Sequence, residues 1–199
     1  MAYSDFTLEG VCQTFGLHLR RESLFDGSQP VDVPHWLYDW LTRTLPFAFG
    51  SEKARSEFLV GPLLISTVER HNQVLSIYSG QCLDVAPERG LVGECKFILA
   101  RTPPLPILSA PIAVLIEAKN HDIEGGLGQC AAQMLGARCF NEQKGNAIPC
   151  LFGSVTNGEI WQFLKLDADI LTIDSVRYYL DNLGNLLGAL NTMTRAIVL

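Results

Sequence analysis

No two of the six cysteines stand at C-x-x-C spacing, and His18, His35, His71 and His121 supply no close His or Cys pair. Structural zinc is held by such close pairs, so a structural zinc site is not expected. Long apolar runs are also lacking. The most apolar region, PLPILSAPIAVLI, is short and carries three prolines, which excludes it as a membrane span. The first ten residues, MAYSDFTLEG, have neither the basic start nor the apolar core of an export signal. A cytoplasmic protein with reduced, mostly buried thiols is therefore expected, with no membrane partner. Basic charge is scarce: 15 Lys and Arg stand against 21 Asp and Glu, for a net charge of −6. That balance argues against broad, non-specific coating of nucleic acid, and it leaves room for a local basic groove.

What is present is an ordinary globular composition, 48% hydrophobic and 18% charged, over 199 residues. No internal repeat or low-complexity linker interrupts it. Residues 1 to about 33 show turn signals in FDGSQP and no clear periodicity. PHWLYDWLTRTL then sets Trp36, Leu37, Trp40 and Leu41 at helical spacing. Ser51 is a natural N-cap for a second helix, EKARSEFLVGPLLISTVER, which Gly61-Pro62 should kink. Strands are expected over 74–79, 95–100 and 111–119, followed by a helix over 124–140. Asn157-Gly158 predicts a hairpin between IPCLFGSVT and IWQFLKL. After ILTI, apolar residues at 176, 180, 183, 187, 190 and 197 predict a long C-terminal helix beginning near residue 174. Such a face packs on its own domain or forms a two-helix homodimer seam. The expected organisation is one α/β domain: an N-terminal helical extension (1–50), a core (51–175) and a C-terminal helix (176–199).

Chemistry concentrates at the end of the apolar run PIAVLIEAK. Alternation along a strand projects Glu117 and Lys119 from one side, at the rim of a sheet whose preceding residues are buried. A carboxylate there is a hard oxygen ligand suited to Mg²⁺, and the lysine can orient a water or offset phosphate charge. Metal-assisted phosphodiester hydrolysis needs a further acid from a neighbouring element. Glu94, at the start of CKFILA, can supply it if the two strands are antiparallel, and Glu57 or Glu52 on the preceding helix can supply a third. A rival register uses Asp84 with Glu94 and Lys96, since Glu94-Cys95-Lys96 repeats the acid-x-lysine spacing. Gly125-Gly126-Leu127-Gly128 lacks the Gly-Lys-Ser/Thr ending of a phosphate-binding loop, and reads as a strand-to-helix connection.

The ordered series SEFLVGPLL, GLVGECKFIL, VLIEAK and GQCAAQM resembles the PD-(D/E)XK nuclease superfamily, the restriction-endonuclease-like fold, across roughly residues 51–175. The resemblance implies an αβββαβ core with a central mixed sheet flanked by helices. It implies Glu57, Glu94 and Glu117 as metal ligands, with Glu52 the alternative helical acid. Glu94, Glu117 and Lys119 would be the catalytic set. Gln129 and Gln133, one helical turn apart, would face the site or the substrate backbone. The first-strand acid is Glu94 where the family usually carries Asp. The implied cofactor is Mg²⁺, with Mn²⁺ as substitute, and the implied partner is nucleic acid, foremost DNA. The activity implied is that of a DNA endonuclease. The alternative is a catalytically silent domain of the same fold that binds nucleic acid or protein.

Overall fold

The computed structural model describes residues 1–71 and 74–198. Seven strands form one mixed, open sheet in the order β1-β7-β6-β5-β4-β3-β2. The strands are β1 (His18–Glu22), β2 (Ser76–Cys82), β3 (Glu94–Ala100), β4 (Ile112–Ala118), β5 (Cys150–Thr156), β6 (Ile160–Asp167) and β7 (Ile170–Tyr179). β4 pairs parallel with β5 and β1 parallel with β7, while all other neighbours are antiparallel. The helices are α1 (Leu8–Phe15), α2 (His35–Thr44), α3 (Glu52–Arg55), α4 (Gly61–Glu69), α5 (Ile123–Gln143) and α6 (Leu183–Val198). Among the described residues, no helix is long and apolar enough to cross a membrane.

Each face of the sheet has its own apolar core. On one face α5 lies over the strands, and the N-terminal segment lies over α5. Tyr3, Phe6 and Val11 meet Leu115, Leu127, Cys130 and Met134 there. On the other, α2, α4 and α6 bring Leu37, Leu63 and Leu190 against Phe97, Val114 and Phe163. β4 lies between the two cores and is buried at every position, as its unbroken apolar run requires.

Local chemistry accounts for the helix boundaries. Ser51 accepts from Ala54 N, the cap expected for the second helix, and Asp122 caps α5 by accepting from Gly125 N at 2.8 Å. The kink foreseen at Gly61-Pro62 takes the form of a π turn, Ser56–Val60, joining α3 to α4. Pro62 has no N–H to donate to the carbonyl of Phe58. That carbonyl instead accepts from Trp40 Nε1 at 3.0 Å, which pins α2 onto the turn. Trp36 and Trp40 remain partly exposed on α2, whereas Trp161 on β6 is fully buried and donates to Gly158 O.

Two expectations are corrected. Residues 1–50 are not only a helical extension. They supply β1 to the sheet, and α1, capped by Thr7 and ended by Gly16 at φ 67°, packs on α5. The segment after 173 does not turn helical at once. β7 continues to Tyr179 because its residues pair with β6, Trp161 opposite Tyr178 and Ile160 opposite Tyr179. The helix starts at Leu183, and Leu199 lies outside the described residues. The apolar stripe of α6 is buried within the chain through Leu186, Leu187, Leu190, Met193 and Ile197.

Candidate functional site

The parallel β4-α5-β5 crossover assembles the site. The ladder between β4 and β5 extends past Ala118, where Lys119 N donates to Thr156 O at 2.8 Å and fixes the lysine backbone. Glu117 and Lys119 both turn toward α5, as their two-residue spacing predicted. Lys119 Nζ lies 3.3 Å from Glu117 Oε1 and donates to Gln129 Oε1 at 2.6 Å. Gln133 Nε2 donates to Glu117 Oε2 at 2.9 Å, and at 3.4 Å to the backbone carbonyl of Glu94. Four of the sequence-predicted residues therefore form one hydrogen-bonded unit. The glycines before it serve packing: a Cβ on Gly126 would lie 2.6 Å from Val155 and 3.2 Å from the Lys119 stem.

Exposure separates the members of the unit. Glu117 is 1% exposed, whereas a quarter of the Lys119 side chain reaches solvent. Burial raises the Glu117 carboxyl above its ordinary value, and the Lys119 charge, the Gln133 amide and more distant Lys96 pull it back. Gln133 is itself fully buried, and its Oε1 has no hydrogen-bond partner.

Glu94 joins the unit by its backbone only. Its carboxylate is turned to Lys96, whose Nζ lies 3.3 Å from Glu94 Oε1 and 3.3 Å from Glu52 Oε1 on α3. Glu57, one turn further along, pairs with Lys53 at 3.8 Å. Glu52, Glu57, Glu94 and Lys96 line a recess of about 330 Å³ beside the end of β3. Lys96, which the sequence offered only in the rival register through Glu94-Cys95-Lys96, takes its second partner acid from the helix. Asp84 of the rival register has a structural task, accepting from Gly93 N at 2.8 Å.

The surroundings are tied down from the far side. Arg55 at the end of α3 donates to Asn157 O at 2.9 Å and to Glu159 Oε2 at 3.0 Å, holding the β5–β6 turn next to Lys119. A larger cavity, about 600 Å³, lies elsewhere, between α2 and the end of β7, lined by Tyr38, Leu41, Ile160, Tyr179 and Leu183 among others. None of the sequence-predicted site residues lines it.

The arrangement does not fit the Mg²⁺ that the family resemblance implies. Magnesium needs a near-octahedral oxygen shell at about 2.0–2.1 Å, with carboxylate oxygens free to enter it. Both oxygens of Glu117 are engaged and shielded, and Glu52 and Glu94 are bridged by an ammonium. Among the described residues, no three His, Cys, Asp or Glu side chains gather into a metal-binding group. What the unit can do as it stands is hold one lysine charge rigidly at the rim of the sheet. No protein-family model matches the chain, and no curated protein matches it.

Proposed function

We propose that the chain is a restriction-endonuclease-like domain that binds the phosphodiester backbone of nucleic acid, foremost DNA, as a non-hydrolysing module. The fold reading rests on element order. From Glu52 to Thr156 the chain runs helix, three antiparallel strands, helix, and a strand parallel to the last of the three. The observation that carries the function is the Glu117–Lys119 pair. A sealed carboxylate with both oxygens engaged acts as a counter-ion that holds its lysine at the rim of the sheet, where a quarter of the lysine side chain reaches solvent. A lysine held this way can contact phosphate and position a strand without reading its sequence.

The carboxylates nearby weaken such binding, so affinity belongs in the non-specific range, with Kd on the order of 10⁻⁴–10⁻⁶ M. Fluorescence anisotropy of a labelled DNA oligonucleotide tests this. Wild type should bind with EDTA present, weaken as salt rises, and lose on the order of tenfold affinity in Lys119→Ala. Equal affinity of the Lys119→Ala chain would sink the proposal.

A second reading, hydrolysis at the same site, is favoured by the way Glu117, Lys119, Gln129 and Gln133 come together, and it requires the carboxylates to exchange their lysine partners for a metal. That reading predicts metal-dependent cleavage of DNA that disappears in both Lys119→Ala and Glu117→Ala.

A further inference from the structure

Lys96 joins two acids from different elements. Glu52 belongs to α3 and Glu94 to β3, and the ammonium sits 3.3 Å from an oxygen of each. Its side chain is one-third exposed, so these pairs are partly shielded from water and salt. The β3–β4 ladder ends at Phe97 opposite Ile116, and one further step along this register would bring Lys96 abreast of Glu117. The Lys96 ammonium thus joins a helix acid and a strand acid, close enough to the acid-x-lysine strand for its charge to act on Glu117. A lysine ammonium is a compact point charge with three donors, and it can neutralise carboxylates without the ordered shell a divalent ion demands.

We propose that Lys96 is this chain's built-in substitute for a divalent cation, clamping Glu52 to Glu94 and withholding both from metal. The inference rests on the nuclease-like reading of the site, and it specifies how that site works without metal. It also makes Lys96 the residue that decides cation dependence. Removing its charge leaves two carboxylates facing one another across the recess, the number Mg²⁺ or Mn²⁺ takes while keeping several waters.

The test uses metal alone, so its outcome is read separately from nucleic-acid binding. Mn²⁺ is titrated into the full chain and free ion is followed by electron paramagnetic resonance. Wild type and Lys96→Arg should show no saturable site up to about 1 mM, a range within which weak protein cation sites fill. Lys96→Met should gain one site, at least about tenfold tighter than anything seen in wild type. Glu94→Gln added to Lys96→Met should remove that site again. Lys96→Gln carries the same expectation wherever methionine disturbs the strand, with circular dichroism reporting the fold. A saturable Mn²⁺ site in wild type would overturn the proposal. So would folded Lys96→Met and Lys96→Gln chains that take up no more Mn²⁺ than wild type.

Discussion

Asp174 on β7 is fully buried, and only one of its oxygens is served. Oδ1 accepts from Val176 N at 3.0 Å and from Leu24 N at 3.4 Å, tying the 23–33 loop to the sheet, while Oδ2 has no partner. Burial raises its carboxyl above the ordinary aspartate value, against the pull of those two amides. The folded chain therefore holds this proton more tightly than the unfolded chain does. Its contribution to stability is fully present below the unfolded pKa and is lost as pH rises through the folded one. Asp174→Asn retains an acceptor for both amides and carries no charge. It should raise Tm near neutral pH by about 2–4 °C for each kcal/mol of penalty relieved. That advantage should shrink steadily as the buffer is lowered toward about pH 4. Differential scanning calorimetry of the two chains across this range checks it, and an advantage that grows on acidification would refute the assignment.

At the scale of elements, α5 shows what its glycines are for. Gly128 lets α5 approach the backbone of Phe6, Thr7 and Leu8, and a Cβ there would fall on the Phe6 carbonyl. Gly136 makes the corresponding room for the Tyr3 ring, whose hydroxyl donates to Leu83 O at 2.7 Å. Gly128→Ala should cost about 1–3 kcal/mol by overpacking, although alanine favours helix. Urea unfolding measures it, and an unchanged midpoint would disprove the contact. The legible elements were those whose burial imposes a period or a cap. β4 was read from its apolar run, α3 from Ser51, and the β5–β6 hairpin from Asn157-Gly158, where Gly158 adopts φ 87°. β1 was invisible because all five of its residues are exposed and no alternation marks them. β7 was misread because Val176, Leu180 and Leu183 fall three and four apart across a strand-to-helix junction. In the site, spacing revealed that Glu117 and Lys119 share a face. It gave no means of foreseeing that Lys96 would engage a helix acid, because that pairing depends on how α3 crosses β3.

For the whole molecule, the sheet's weak point is its β1 edge. His18, Arg20, Arg21 and Glu22 place polar and charged groups along that edge, which discourages pairing with another chain. Removing residues 1–22 would uncover the β7 edge and strip Tyr3, Phe6 and Val11 from α5. Each such side chain stabilises the fold by about 1.5–3 kcal/mol when buried. The truncated chain should aggregate and scatter light, and a truncated chain that elutes and melts like the full one would contradict this role for the edge. The tryptophans have a separate consequence. Trp161, sealed against the turn that Arg55 holds beside Lys119, should emit to the blue of Trp36 and Trp40, which water reaches on α2. With Trp36 and Trp40 both replaced by phenylalanine, the remaining emission would come from one indole, giving an intrinsic optical readout of whatever disturbs that turn.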